Sequence, residues 1–264
     1  MGALVLTPTR ALHVASDAEA LPEVAILGPL YRFGFVPRAG QVLMVAGQPG
    51  SLKSMFGQWY ADELGLRTLY FCADSDPHTA VTRLAAKRTG YTSDEVARAL
   101  ETGAAGFFVD ALAGSNLQFC FDSGPTLDDV ALEVYAYVEL WDAYPEVIII
   151  DNLLNVEAEV GEEFAGMRMV SKEIHRLARE TGAAVMILHH MRECDDASNP
   201  QPRAHLQGKV SQLPERILSV AYDADEGAFK MAPVKNRGGR QDPSGKQFFR
   251  LRADPARATF YSWA

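Results

Sequence analysis

The chain is poor in cysteine. Only Cys72, Cys120 and Cys194 occur in 264 residues, far apart and without metal-ligand spacing. That argues against a disulfide-stapled scaffold and a zinc ribbon, and suits a reducing cytoplasm. Long apolar runs are also missing. None approaches the roughly 18 residues of a membrane span, so no membrane partner is expected. The N-terminus lacks the basic-then-apolar order of a signal peptide. Basic charge is not in excess either: the formal net charge is −9. Any contact with nucleic acid must therefore come from a local patch. No internal repeat or low-complexity segment is visible. With 48% hydrophobic residues the chain can bury its own core, as one large domain or two small ones.

Against that background residues 41–56 stand out. Val42 to Ala46 is apolar and stops at Gly47. A small-residue loop, Gly47-Gln48-Pro49-Gly50-Ser51-Leu52, runs into Lys53-Ser54, and a helical pattern follows. Strand, loop and helix in that order form a phosphate-binding P-loop. Unpaired N–H groups at a helix start can wrap a polyphosphate. Lys53 would add a point charge near the outer phosphates, and the Ser54 hydroxyl would hold Mg²⁺. One position departs from the pattern: Leu52 stands where glycine usually precedes the lysine.

From about residue 30 apolar runs alternate with helical patterns. Strands are expected at Val42–Ala46, Thr68–Ala73, Leu117–Phe121, Val147–Asp151, Ala184–His189 and Ile217–Tyr222. Helices are expected over Ser54–Leu64, from Asp76-Pro77 to Thr89, after the capping box Thr92–Glu95, over Thr126–Trp141 and over Glu162–Glu180. In Thr126–Trp141 one face carries Leu127, Val130, Ala131, Val134, Val138 and Trp141. In the last helix Phe164, Met167, Ile174, Leu177 and Ala178 do much the same. Such alternation predicts an α/β fold with a mainly parallel central sheet flanked by helices. Phe229–Val234, Gln247–Arg252 and Thr259–Trp263 predict antiparallel C-terminal strands. Residues 1–29 read as an arm or linker and 30–264 as the core.

Three strand ends carry further chemistry. Val147-Ile148-Ile149-Ile150 reads as a strand buried on both faces, and Asp151 follows it. That is the Walker B arrangement, in which Asp151 completes the Mg²⁺ site with Ser54. The strand Leu69–Ala73 ends at Asp74-Ser75-Asp76. Asp76 is best explained as a helix cap, and Asp74 as the group that orients or deprotonates the attacking water. The strand Val185–Leu188 ends in His189-His190, read as a sensor of the outer phosphate, with a metal-ligand pair or plain polar edge residues as the alternatives. Residues 191–210 are polar and carry Arg192, Arg203, Gln207 and Lys209. They suit contact with a nucleic-acid backbone or a solvated loop. Lys235-Asn236-Arg237 is a basic turn that could enter a neighbour's nucleotide site or simply be solvated.

In this order the pieces resemble the RecA-type motor core of ring helicases, above all the DnaB-type replicative helicases and the phage primase–helicase C-terminal domain. The resemblance runs from about residue 30 to the end. It implies a RecA-like fold, with Asp74 and Arg83 at the places of the family's catalytic Glu and following Arg. His190 matches the strand-end sensor, Leu206-Gln207-Gly208 the DNA-loop region, and Lys235-Asn236-Arg237 the trans-acting turn. It implies a Mg²⁺-dependent (or Mn²⁺-dependent) ATPase acting on single-stranded or forked DNA. Self-association into a homo-oligomer, a hexameric ring, in a bacterial or phage-infected host cytoplasm is implied as well. Two rivals share the core: a metal-dependent nuclease using Asp74, Asp76, Asp122 and Asp151, and a nucleotide-gated DNA-binding or loader protein with little turnover.

Overall fold

The computed structural model describes residues 20–157 and 163–263, without the side chains of 163–165 and Lys209. The greater part of the expected arm, residues 1–19, and the side chain of Phe164 thus lie outside the described residues. Nine described strands form one sheet: β1 (Val42–Gly47), β2 (Thr68–Cys72), β3 (Leu117–Cys120), β4 (Val147–Asp151), β5 (Ala184–His190), β6 (Arg216–Asp223), β7 (Ala228–Asn236), β8 (Phe249–Asp254) and β9 (Thr259–Ser262). Their order is β3-β2-β4-β5-β1-β6-β7-β8-β9. The pairs from β3 to β6 are parallel and those from β6 to β9 antiparallel. The predicted class is therefore borne out, with β4 as expected and no strand end displaced by more than two residues.

The helices are α1 (Gly28–Arg32), α2 (Lys53–Leu64), α3 (Pro77–Thr89), α4 (Ser93–Glu101), α5 (Gly106–Leu112), α6 (Leu127–Trp141) and α7 (Glu163–Thr181). Alternating strand residues feed two cores, one on each face of the sheet. Leu43 and Val45 of β1, Ile149 of β4 and Leu188 of β5 pack on one face with Met55, Phe56, Trp59 and Tyr60 of α2. Val42, Met44, Ile148, Ile150 and Ile187 pack on the other with Val130 and Val134 of α6 and Val170 and Ile174 of α7. The N-terminal segment joins the first core through Val24, Leu27 and Leu30. A smaller cluster, Ala85, Ala86, Val96 and Phe108, unites α3, α4 and α5.

The caps follow the sequence. Asp76 caps α3 by accepting from Thr79 N–H at 3.0 Å, and Thr92 and Thr126 both form capping boxes. One expectation fails. Trp141, placed on the buried face of α6, is 52% exposed. It is the helix's last residue, a turn beyond Tyr137, and Asp142 then breaks away in the left-handed region. The short α5 was not foreseen, because seven residues hold too few turns to show a period.

Phe56 joins α2 to the antiparallel extension, with its ring centroid 5.2 Å from Phe229 and 6.0 Å from Phe260. Phe56→Ala is expected to lower unfolding stability by about 3–5 kcal/mol, read by urea denaturation. A loss under about 1 kcal/mol would mean that this contact is not central to the core.

Candidate functional site

The site gathers at the carboxyl ends of β1, β2, β4 and β5, where parallel sheets bind ligands. The register levels Gly47 of β1 with His190 of β5, and Cys72 of β2 with Asp151 of β4. Gly47 has no room for a side chain: a Cβ there would meet Ser51 Oγ at 2.4 Å and the Val220 carbonyl at 2.7 Å. Gly50 turns the loop with φ +78°. Leu52 also adopts a left-handed conformation, φ 62° and ψ 20°, as the residue before α2. That backbone region favours glycine and costs a leucine roughly 1–2 kcal/mol. Its half-buried side chain packs against the first core, which accounts for a leucine being accommodated here.

Lys53 opens α2 and is 7% exposed. Burial lowers its pKa, opposed by the charges of Asp151 and Asp74. Asp151 is 1% exposed. Burial raises its pKa, opposed by hydrogen bonds from the Ser54 hydroxyl and the Tyr70 phenol and by the Lys53 charge; the neighbouring Asp74 charge adds to the rise. Tyr70 Oη donates to Asp151 Oδ2 at 3.0 Å, while Oδ1 is buried with no partner. Ser51 Oγ in the loop is likewise buried and unpartnered. The site thus has a glycine-made cradle, a buried cation, a hydroxyl beside a carboxylate, and one carboxylate oxygen left over. These residues fit a Mg²⁺-bound nucleoside triphosphate.

Asp74 lies just past β2. Its Oδ1 accepts from Asn155 Nδ2 at 3.1 Å, and its Oδ2 accepts from Asn152 Nδ2. The same Asn152 nitrogen lies 3.2 Å from His190 Nε2. One asparagine, directly after Asp151, thus bridges Asp74 and His190. Burial lowers the His190 pKa, with the Lys53 charge adding to the effect. Half-buried Arg83 on α3 acts on the nearby Tyr70 and Cys72 through its charge. Asn152, Asn155 and Tyr70 were not found from sequence. The first two sit one and four residues after Asp151, and that adjacency was the available signal.

The other predicted residues lie elsewhere. Lys235 and Arg237 are at the opposite end of the sheet, since Lys235 is level with Ile217, which is level with Met44 of β1. Three residues of strand, roughly 10 Å, separate that level from Gly47. Lys235 Nζ donates to the carbonyls of Ser211 and Gln212 at 2.7 and 2.9 Å. Burial, with the charges of Arg237 and Arg203, lowers its pKa to about 8. Arg237 is exposed and donates to the Gln212 carbonyl at 2.8 Å. Arg192 and Arg203 flank the loop after β5, which Met191 and Leu206 close by a strand-like bridge. Gln207 follows, and its carbonyl accepts from buried His189 Nε2 at 3.1 Å. His189 therefore points away from His190's neighbourhood and into the loop's support. The side chain of Lys209 lies outside the described residues.

Asp122 Oδ1 is engaged with Gly124 N–H and Asp76 with Thr79. Among the described residues no three His, Cys, Asp or Glu side chains converge as metal donors. The four aspartates that a nuclease centre would need are thus not brought together.

His189 should make the fold acid-sensitive. Burial, the largest cause, lowers its pKa to about 4, below the unfolded value, so the unfolded state takes up the proton first. Stability is then retained above about pH 6.5 and falls as pH drops toward 4, by about 3 kcal/mol at pH 4. Urea melts of the parent and His189→Gln at pH 7.5 and 4.5 should show the variant losing less on acidification. Equal losses would remove His189 as the cause.

Comparison with known proteins agrees with this geometry. The AAA domain family profile matches residues 29–196. The Gene 65 protein of Mycobacterium phage L5 is 32% identical over 254 residues, covering 93% of this chain and 94% of its own. Its counterpart from Mycobacterium phage D29 is 33% identical over 218 residues, covering 80% and 94%. Among solved structures, the ATPase domain of G40P superposes with a TM-score of 0.82 at 13% identity, covering 98% of this chain and 99% of that one. A DnaB-like replicative helicase, solved with reference to its interactions with primase, gives a TM-score of 0.80 at 13% identity, over 98% and 68%. The chain belongs to the AAA domain family, and its fold is the RecA-like ATPase fold of DnaB-like helicases.

Proposed function

We propose that the protein is a DNA-directed, Mg²⁺-dependent ATPase that works as a homo-oligomeric ring, a hexamer, in phage DNA replication or recombination. It would act in the cytoplasm of an infected bacterium and separate strands of forked DNA. The observation that carries this reading is the line of polar groups across the strand ends: Lys53, Ser54 and Asp151 on one side, Asp74, Asn152 and His190 on the other. No described helix is long and apolar enough to cross a membrane.

The contacts support a role for each residue. The loop N–H groups from Gln48 to Lys53 would hold the phosphates, and Lys53 would counter the charge that develops on the leaving oxygens. Ser54 and the spare oxygen of Asp151 would hold the Mg²⁺, whose charge offsets that of the outer phosphates. Asp74 would accept or orient the attacking water's proton, with Asn152 and Asn155 keeping its oxygens in place. The Asn152 bridge would report occupancy to His190, and the loop carrying Arg192, Arg203, Gln207 and Lys209 would touch DNA. Arg83 would support the site through its charge. Lys235 and Arg237 lie too far from their own phosphate loop to serve it, which supports action on the neighbouring protomer's nucleotide. In that assembly Lys235 would exchange its carbonyl partners for phosphate.

Lys53→Ala and Asp74→Asn should each lower ATP turnover by about 100-fold or more. Arg237→Ala should lower it by about 1,000-fold in the assembled ring. Mixing Lys53→Ala with Arg237→Ala should recover activity, because some interfaces then pair an intact loop with an intact arginine. A mixture as inactive as its components would reject action across the interface. On a labelled fork, ATP-dependent release of full-length strand supports the helicase reading. Strand shortening without ATP would replace it with a nuclease, and a mobility shift alone with a loader.

A further inference from the structure

Gln48, the second residue of the phosphate loop, turns its side-chain amide toward the loop that leaves β5. Its Nε2 donates to Cys194 Sγ at 3.2 Å, and its Oε1 accepts from the Cys194 backbone N–H at 3.2 Å. Both polar ends of this buried amide are thus satisfied by one residue. The same sulfur accepts from Gln201 Nε2 at 3.0 Å and lies 3.3 Å from the Asp196 carbonyl, to which the thiol donates. Gln201 is itself anchored, its N–H donating to Ser219 Oγ of β6 at 2.9 Å. A second tie lies next to the first: Met191 N–H donates to the Gly47 carbonyl at 3.2 Å.

The phosphate loop and the basic loop are therefore fastened at two consecutive residues, Gly47 by backbone and Gln48 by side chain. The path of Gln48 sets the path of Pro49 to Ser51, whose backbone would face the phosphates. A buried amide that loses its partner is penalised by its full desolvation, so the loop conformation depends on Cys194 staying in place. Although Gln48 and Gln201 are buried, Cys194 is exposed. A buried strut of the nucleotide site thus ends in a thiol at the surface, between Arg192 and Arg203.

We propose that Cys194 is a positioning residue of the nucleotide site, holding Gln48 and coupling the phosphate loop to the basic loop after β5. The proposal rests on the nucleotide-site reading above. It is tested on the full chain in two arms. In the first, N-ethylmaleimide labelling without nucleotide is followed site by site by peptide mass spectrometry. Gln48→Ala should change the Cys194 labelling rate about threefold or more, upward by release or downward by loss of the donor to the sulfur, with the Cys120 rate unchanged as control. Equal Cys194 rates would overturn the contact.

In the second arm, binding of a fluorescent Mg²⁺–ATP analogue is measured. Cys194→Ala should weaken it about threefold while melting with the parent, and Cys194→Ser should recover part of the loss. Maleimide treatment should weaken the parent and leave Cys194→Ala unaffected. Unchanged affinity in Cys194→Ala would overturn the positioning role. A parent that binds no nucleotide would overturn both readings, and the labelling arm would still show whether the contact exists.

Discussion

A carboxylate with almost no access to water organises this molecule. Asp151 ends a strand whose four preceding aliphatics are buried on both faces of the sheet. Packing those residues carries the acid inward with them, and a buried charge must be met by donors or a cation. Tyr70 from β2 and Ser54 from α2 meet it from one side and Lys53 adds its charge. Three elements are thereby held in one relation, and one oxygen remains without a partner. The same constraint that stabilises the end of β4 leaves a site suited to a divalent cation.

From Asp151 the polar chain passes through the backbone to Asn152, and through its side chain to Asp74 and His190. Each group belongs to a different strand end, so none can shift without disturbing the others. Such a network is worth more when complete than its separate bonds suggest. Below the phosphate loop the neighbouring contact is of another kind, a soft sulfur shared by two glutamines. The phosphate loop is therefore tied to the β5 exit loop, while the asparagine bridge joins the neighbouring ends of β2, β4 and β5.

Leu52 shows how a departure from a motif is accommodated. The backbone keeps the left-handed turn that glycine would adopt freely. The leucine side chain recovers part of the cost by lying on the core shared by α2 and the sheet. The loop path survives the substitution, while its freedom to move is reduced relative to glycine.

Much of this was legible in the chain itself. The aliphatic run ending at Asp151, the Gly47–Ser54 loop and the caps at Asp76, Thr92 and Thr126 depend on neighbours in sequence, so period and spacing reveal them. The exposed Trp141 was misread for the same reason: period shows which side of a helix is apolar, but not where the sheet beneath it stops. Asn152, Asn155, Tyr70 and the Gln48–Cys194 pair were not legible, because each acts through a partner that only the strand order brings near. Gln48 and Cys194 stand 146 residues apart and touch because β1 and β5 are adjacent. Sequence alone determined the fold class and marked the phosphate loop and the strand-end residues Asp74, Asp151 and His190 as candidates for the chemistry. The parallel register decided which of them meet, since hydrogen bonds extend only about 3 Å and those joining Tyr70 to Asp151, Asn152 to Asp74 and Gln48 to Cys194 each link the ends of different strands.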